Sequence, residues 1–152
     1  MVNVPKFIII GFQSNRENNL LADTAQFDNI KLRDISILLN NQRYPSKDLN
    51  IDWSKNEYQK LYYLLKNFKN SYYNDNSLLT KVTQADFSNK CPIVALDCSI
   101  QNEELTTSNS SMTLDIRLSE ALATDTRLFY LLIYNRMFNT TFGGARMTEL
   151  SI

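Results

Sequence analysis

Two neighbouring segments of opposite hydropathy constrain this chain more than any other feature. Met112 to Ser119 alternates strictly, with Met112, Leu114, Ile116 and Leu118 on one side and Thr113, Asp115, Arg117 and Ser119 on the other. Leu128 to Phe138 is apolar at nearly every position. Side chains alternate faces along a strand, so the first pattern predicts one wet face and one dry face. The second predicts a strand covered on both faces: Leu128, Tyr130, Leu132 and Tyr134 on one, Phe129, Leu131 and Ile133 on the other. A β-sandwich covers only one face of each strand. The surplus face must therefore meet a helix, a long loop or another polypeptide, and association through it is expected.

The 152 residues suit a single domain, 1–152, large enough to bury a core without staples. Three glycines and three prolines are few, so Asn, Asp and Ser must serve the connections. Asn does so readily because it tolerates left-handed backbone. Lys plus Arg and Asp plus Glu both number 16. That balance lacks the positive footprint of a nucleic-acid-binding protein and permits close self-association. No apolar run approaches the length needed to cross a bilayer, and the first residues lack the marks of a signal peptide. A chain that folds in the cytosol is expected. Cys91 and Cys98 have opposite parity on one expected strand, so they should remain separate thiols.

The remaining pattern adds elements in order. Lys6 to Gln13 reads as a strand, with Gly11 admitting a close neighbour. Ser14 to Asp28 is a long polar loop of the kind that carries function. Ile30 to Leu39 is a strand whose apolar parity shifts, which predicts a β-bulge at Arg33-Asp34. A turn at 40–45 and a short strand through Leu49, Ile51 and Trp53 follow. Ser54-Lys55-Asn56-Glu57 has the spacing of a capping box, predicting a helix over 54–71 with Tyr58, Leu61, Tyr62, Leu65 and Phe68 on its apolar stripe. Thr83 to Phe87 starts a second, short helix. Pro92 to Ile100 is a strand, in which Asp97 marks an edge, a bulge or a local hydrogen bond. Gln101 to Ser111 is a polar loop, Ala123–Thr126 a turn, and Asn139–Ile152 a last strand weakened at Gly143-Gly144. With no βαβ alternation and no repeat, the order predicts an all-β, mainly antiparallel sandwich with a helical insertion.

Chemistry is hard to place on this chain. It has no histidine, which removes the Ser-His-Asp and Cys-His systems and histidine metal sites. It has no CxxC, phosphate-loop or dinucleotide-binding pattern. Glu103-Glu104 sits in a polar loop and is no facing acid pair. No catalytic, cofactor-binding or metal-binding residue is assigned, no cofactor is implied, and no enzymatic activity is expected. Tyr63, Tyr72 and Tyr73 are candidates for contact with a partner.

Several segments together resemble a known family. Pro5 to Arg16 resembles the "P-x-hydrophobic run-G/A-F-Q-T-x-R" strand of double jelly-roll proteins encoded by adintovirus-like and Polinton-like elements, and of related insect and nematode sequences. Phe27-Asp28, Ile35 to Asn40 and Tyr44-Pro45 resemble its "FD", "hydrophobic-LN" and "YP" segments. Pro92 to Glu103, with Asp97-Cys98-Ser99, resembles its "D-C-S-x-Q-x-E" strand. Asp115-Ile116-Arg117-Leu118 resembles "DIRLE", and Leu131 to Arg136 resembles "LILHDR". Tyr134, Asn135 and Ser119 depart from the usual His, Asp and acidic residue.

The resemblance implies an antiparallel jelly-roll sandwich and a capsid-type structural protein that acts by self-assembly. It covers one jelly roll only. The expected partners are further copies, in a trimer or larger assembly, or a second jelly-roll domain packed on Leu128–Phe138. Neither a specific nucleic acid nor a membrane is expected as partner. The loops 14–28 and 101–111 and the helix over 54–71 are the expected contact elements. The rival reading is a non-enzymatic β-sandwich binding module for a glycan or protein, including a domesticated host copy.

Overall fold

The computed structural model describes residues 4–16, 19–74, 81–100, 111–135, 137–141 and 146–150, the last two segments by backbone alone. Two three-stranded antiparallel sheets face each other. One has the order β4 (Val94–Asp97), β1 (Phe7–Gln13), β6 (Arg127–Ile133). The other has β3 (Gln42–Tyr44), β2 (Leu32–Leu39), β5 (Met112–Leu118). β1 pairs with β6 and β2 with β5, so the two ladders nest as in a hairpin rolled on itself. β7 (Met137–Thr141) and β8 (Arg146–Leu150) pair with each other. The single last strand expected over 139–152 is therefore a hairpin.

The core lies between the sheets. Ile8, Ile10 and Phe12 of β1 and Val94 and Leu96 of β4 face Leu32, Ile35, Ile37 and Leu39 of β2. The parity shift in β2 has the anticipated cause. Leu32 pairs with Leu118 and Asp34 with Arg117, so Arg33 is the extra residue. Without it, Leu32 and Ile35 would point to opposite faces. Both are buried.

Asparagine supplies the tight connections. Among the described residues, six of the eight non-glycine positions with positive φ are Asn, including Asn40-Asn41 between β2 and β3. The 40–45 segment is thus a two-residue turn plus a strand, because Gln42 to Tyr44 pairs back on β2. The Tyr44–Pro45 peptide is cis.

The helical region departs from expectation at its start. Asp52, not Ser54, is the capping residue: its carboxylate accepts from the Ser54 and Lys55 amides of a 3-10 turn, Trp53–Lys55. The Ser54 hydroxyl donates to the same carboxylate. Asn56 ends the turn in a left-handed conformation, and α1 runs over Gln59–Tyr73 from Tyr58, with no side-chain cap. Glu57 bridges to Asp52 through backbone bonds instead of closing a capping box. Leu49 and Ile51 are buried, yet they form no strand; the Ile51 amide bonds to the Arg33 carbonyl at the bulge. The expected stripe on α1 is correct: Leu61 is buried, and Tyr62 and Leu65 pack on the core. α2 (Gln84–Lys90) is capped by Thr83, which accepts from the Asp86 amide, and carries buried Phe87.

The outer face of β1 is also dry. Phe68 and Tyr72 of α1 stack edge-on against Phe7, with ring centroids 5.2 and 5.7 Å away. Farther along, the Phe27 ring lies on Gly11, where a β-carbon would come within 2.5 Å of it. Gly11 is needed for this close approach.

Gly11→Ala is expected to cost about 1–3 kcal/mol by overpacking. Phe27→Leu in the same chain should recover part of that loss, measured as urea midpoints. Asp52→Ala is expected to lower the midpoint more than Ser54→Ala, because Asp52 accepts the hydrogen bonds and Ser54 only donates to it.

Candidate interaction surface

Most of β6 is exposed. It is the edge strand of its sheet, and Leu128, Phe129, Tyr130 and Leu131 are 37, 46, 66 and 56% exposed. These residues alternate between both faces, so neither face is closed at this end of the strand. Only Leu132, opposite Ile8, packs on the core. The expectation that one set lines the core holds only at Leu132, and the surplus face, expected under the helix or against another polypeptide, is left exposed. α1 packs along β4, at the far edge of the same sheet, and over Phe7 of β1. Phe27 is an aromatic neighbour of β6, its ring meeting Phe129 at 6.2 Å. The strand is also shorter than 128–138, since Phe138 belongs to β7.

The two sheets have one tied flank and one open flank. Tyr44 of β3 donates its hydroxyl to the Ile100 carbonyl, just beyond β4. β5 and β6 form the other flank. There Met112 is exposed and Leu114, Ile116 and Leu118 are half-buried.

The loop 14–28 is fastened at its base. Gln13 donates through its side-chain amide to the Thr24 and Gln26 carbonyls, both at 2.8 Å. Asp28 accepts from the Ser14 amide at 2.8 Å and from Arg16 at 2.9 Å. The Asp28 amide bonds the Phe12 carbonyl, and the Phe27 amide the Lys90 carbonyl. At the tip, Leu20 and Leu21 are fully exposed. The second expected contact loop, 101–111, lies outside the described residues apart from Ser111.

Tyr63, Tyr72 and Tyr73 are all exposed on α1. Tyr72 is held by Phe7, Phe68 and Tyr73, so it braces β1 as well as presenting a surface.

The wet face of the β5 sheet carries a charge cluster. Asp34, buried on β2, lies 3.3 Å from Arg43 and 3.9 Å from Arg117. It also accepts from the Ile35 and Leu49 amides. Asp48 pairs with Arg43 at 2.6 Å, and Arg117 with Asp115 at 3.1 Å. The Arg43 hydrogen bond is the main cause that holds the Asp48 carboxyl below its usual range. This cluster organises the sheet surface; its acids are matched by guanidinium groups. Sequence reading missed it because its members are spread over four segments.

Neither Cys91 nor Cys98 forms a disulfide. Cys98 is buried, and burial pushes its thiol up to about 12, so it is a poor nucleophile. Cys91 caps α2 and precedes β4, so its separation from Cys98 follows from the helix end and not from strand parity. Asp97 accepts from the Ser99 amide at 2.9 Å on edge strand β4, the local role anticipated for it.

An antiparallel sandwich with nested ladders and a helical insertion fits a jelly roll. Residues 1–138 match the family of the double jelly roll-like domain, and the chain belongs to that family. No curated protein and no solved structure matches it. No helix among the described residues is long and apolar enough to cross a membrane.

A group with a depressed carboxyl pKa stabilises the fold above its ordinary range and loses that contribution as pH falls through the lowered value. Asp48→Asn should therefore destabilise the protein at neutral pH and converge with the wild type in acid. Urea titrations at the two pH values measure this. Equal deficits at both would show that the Asp48 charge contributes nothing.

Proposed function

We propose that this chain is a non-enzymatic, capsid-type structural protein that works by self-assembly of rigid jelly rolls. The observation that carries the reading is β6. Four consecutive large apolar side chains stand exposed on both faces of a strand that is firmly paired on one side. Scattered exposed apolar residues are ordinary, but a contiguous strip of this kind marks a contact surface. Family membership supports the same reading, as does a net charge of zero, which lets like copies approach.

The mechanism is burial of the β6 strip against another copy. Phe129 and Tyr130 act as aromatic anchors on opposite faces of the strand, and the fastened 14–28 loop adds Leu20 and Leu21. Anchors of this type dominate interface energetics when fully desolvated. The rigidity of β1 beneath β6 keeps the ordering cost low. The product is a trimer or larger assembly, in a virion or in the cytoplasm. A second jelly-roll domain on β6 is the competing occupant.

The purified chain is expected to form concentration-dependent species larger than a monomer in sedimentation velocity. Tyr130→Glu with Leu131→Glu should shift it to smaller species while the circular dichroism spectrum and melting temperature hold. A wild-type chain that stays monomeric at the highest reachable concentration would overturn the self-assembly reading.

A further inference from the structure

We propose that two copies of this chain pair edge to edge through β5, in one antiparallel two-fold register centred on Ile116. The edge is available: among the described residues β5 pairs with β2 alone. It also lacks Lys and Pro, two devices that commonly blunt exposed edges.

The hydrogen-bond phase limits the possible registers. The Ser111 carbonyl accepts from the Asn40 amide, and the Ser119 amide donates to the Lys31 carbonyl. Odd-numbered residues of β5 therefore spend their backbone groups on β2. The amides and carbonyls of Met112, Leu114, Ile116 and Leu118 point away from it. In a two-fold antiparallel pair these outward groups must meet their own kind, which allows centres at or between them.

Charge then chooses among the centres. Centring on Asp115 opposes two carboxylates, and centring on Arg117 opposes two guanidinium groups. Centring on Leu114 shortens the overlap and leaves both charges without an opposite. Centring on Ile116 sets Asp115 opposite the partner's Arg117 and Arg117 opposite the partner's Asp115. It also sets Leu114 against the partner's Leu118 and Thr113 against the partner's Ser119. Opposite charges facing across strands are favourable, and like charges are not. Asp115 and Arg117 are half exposed on the wet face, so they can make these contacts. On the dry face, Leu114, Ile116 and Leu118 are only half-buried within one copy, and the partner strand extends their apolar row.

This pairing uses a different surface from the β6 strip, and the β6 variants leave β5 intact, so site-specific cross-linking through β5 tests it apart from the self-assembly reading. Thr113 and the partner's Ser119 would form a non-hydrogen-bonded pair with Cα atoms about 4.5 Å apart, within disulfide reach. The full chain carrying both Thr113→Cys and Ser119→Cys is expected to give a covalent dimer under mild oxidation. Either substitution alone should give none, and the wild type, with Cys91 and Cys98, is the background control. Asp115→Arg is expected to weaken the dimer about tenfold in sedimentation equilibrium. If that variant does not fold, cross-linking decides alone. The proposal is overturned if the folded double-cysteine chain yields no dimer. It is also overturned if a single cysteine cross-links as well, or if folded Asp115→Arg dimerises like the wild type.

Discussion

The fold depends on one strand being dry on both faces. β1 puts Ile8, Ile10 and Phe12 into the space between the sheets. It turns Phe7 and Gly11 outward, under Phe68, Tyr72 and Phe27. A strand clamped in this way cannot slip by one residue without exchanging its two buried sets. β4 and β6 take their register from it directly. The loop 14–28 does so indirectly, because Gln13, Ser14 and Phe12 hold its base.

The legible parts of this structure were those governed by local periodicity or by a single residue's geometry. The β2 bulge, the alternation of β5, the start of α2 and the need for Gly11 all follow from a few neighbouring residues. The capping box failed for an equally physical reason. Asp52 precedes Ser54 by two residues: its carboxylate caps the Ser54 and Lys55 amides, and its backbone carbonyl accepts from the Glu57 amide that Ser54 was expected to serve. The short strand through Leu49 and Ile51 failed because burial, not pairing, explains their apolar character. Most of all, β6 reads as a doubly covered strand, but coverage is a property of whatever lies across from it. Its sequence encodes a demand for cover, and α1 meets a comparable demand elsewhere, at Phe7. The charge cluster of Asp34, Arg43, Asp48 and Arg117 was invisible because no local spacing links its members.

The motifs that carry the family resemblance turn out to be pairs of contacts. Gln13, Ser14 and Arg16 meet Asp28 or its neighbours, and Tyr44 reaches the segment after Cys98. Arg117 of the "DIRL" strand reaches Asp34 and Asp48. Each pair joins positions distant in sequence, so the motifs help to fix the fold.

The central position of β1 has a kinetic cost. It is synthesised ahead of both strands that pair with it, and β6 follows only near the far end of the described chain. Ladders between such distant segments close slowly, because the intervening chain must first be brought to order. Until then the Phe7–Phe12 stretch is an uncovered apolar segment of high strand propensity, open to capture by chaperones or by other nascent copies. The strand that is most secure in the finished fold is the most vulnerable during its making.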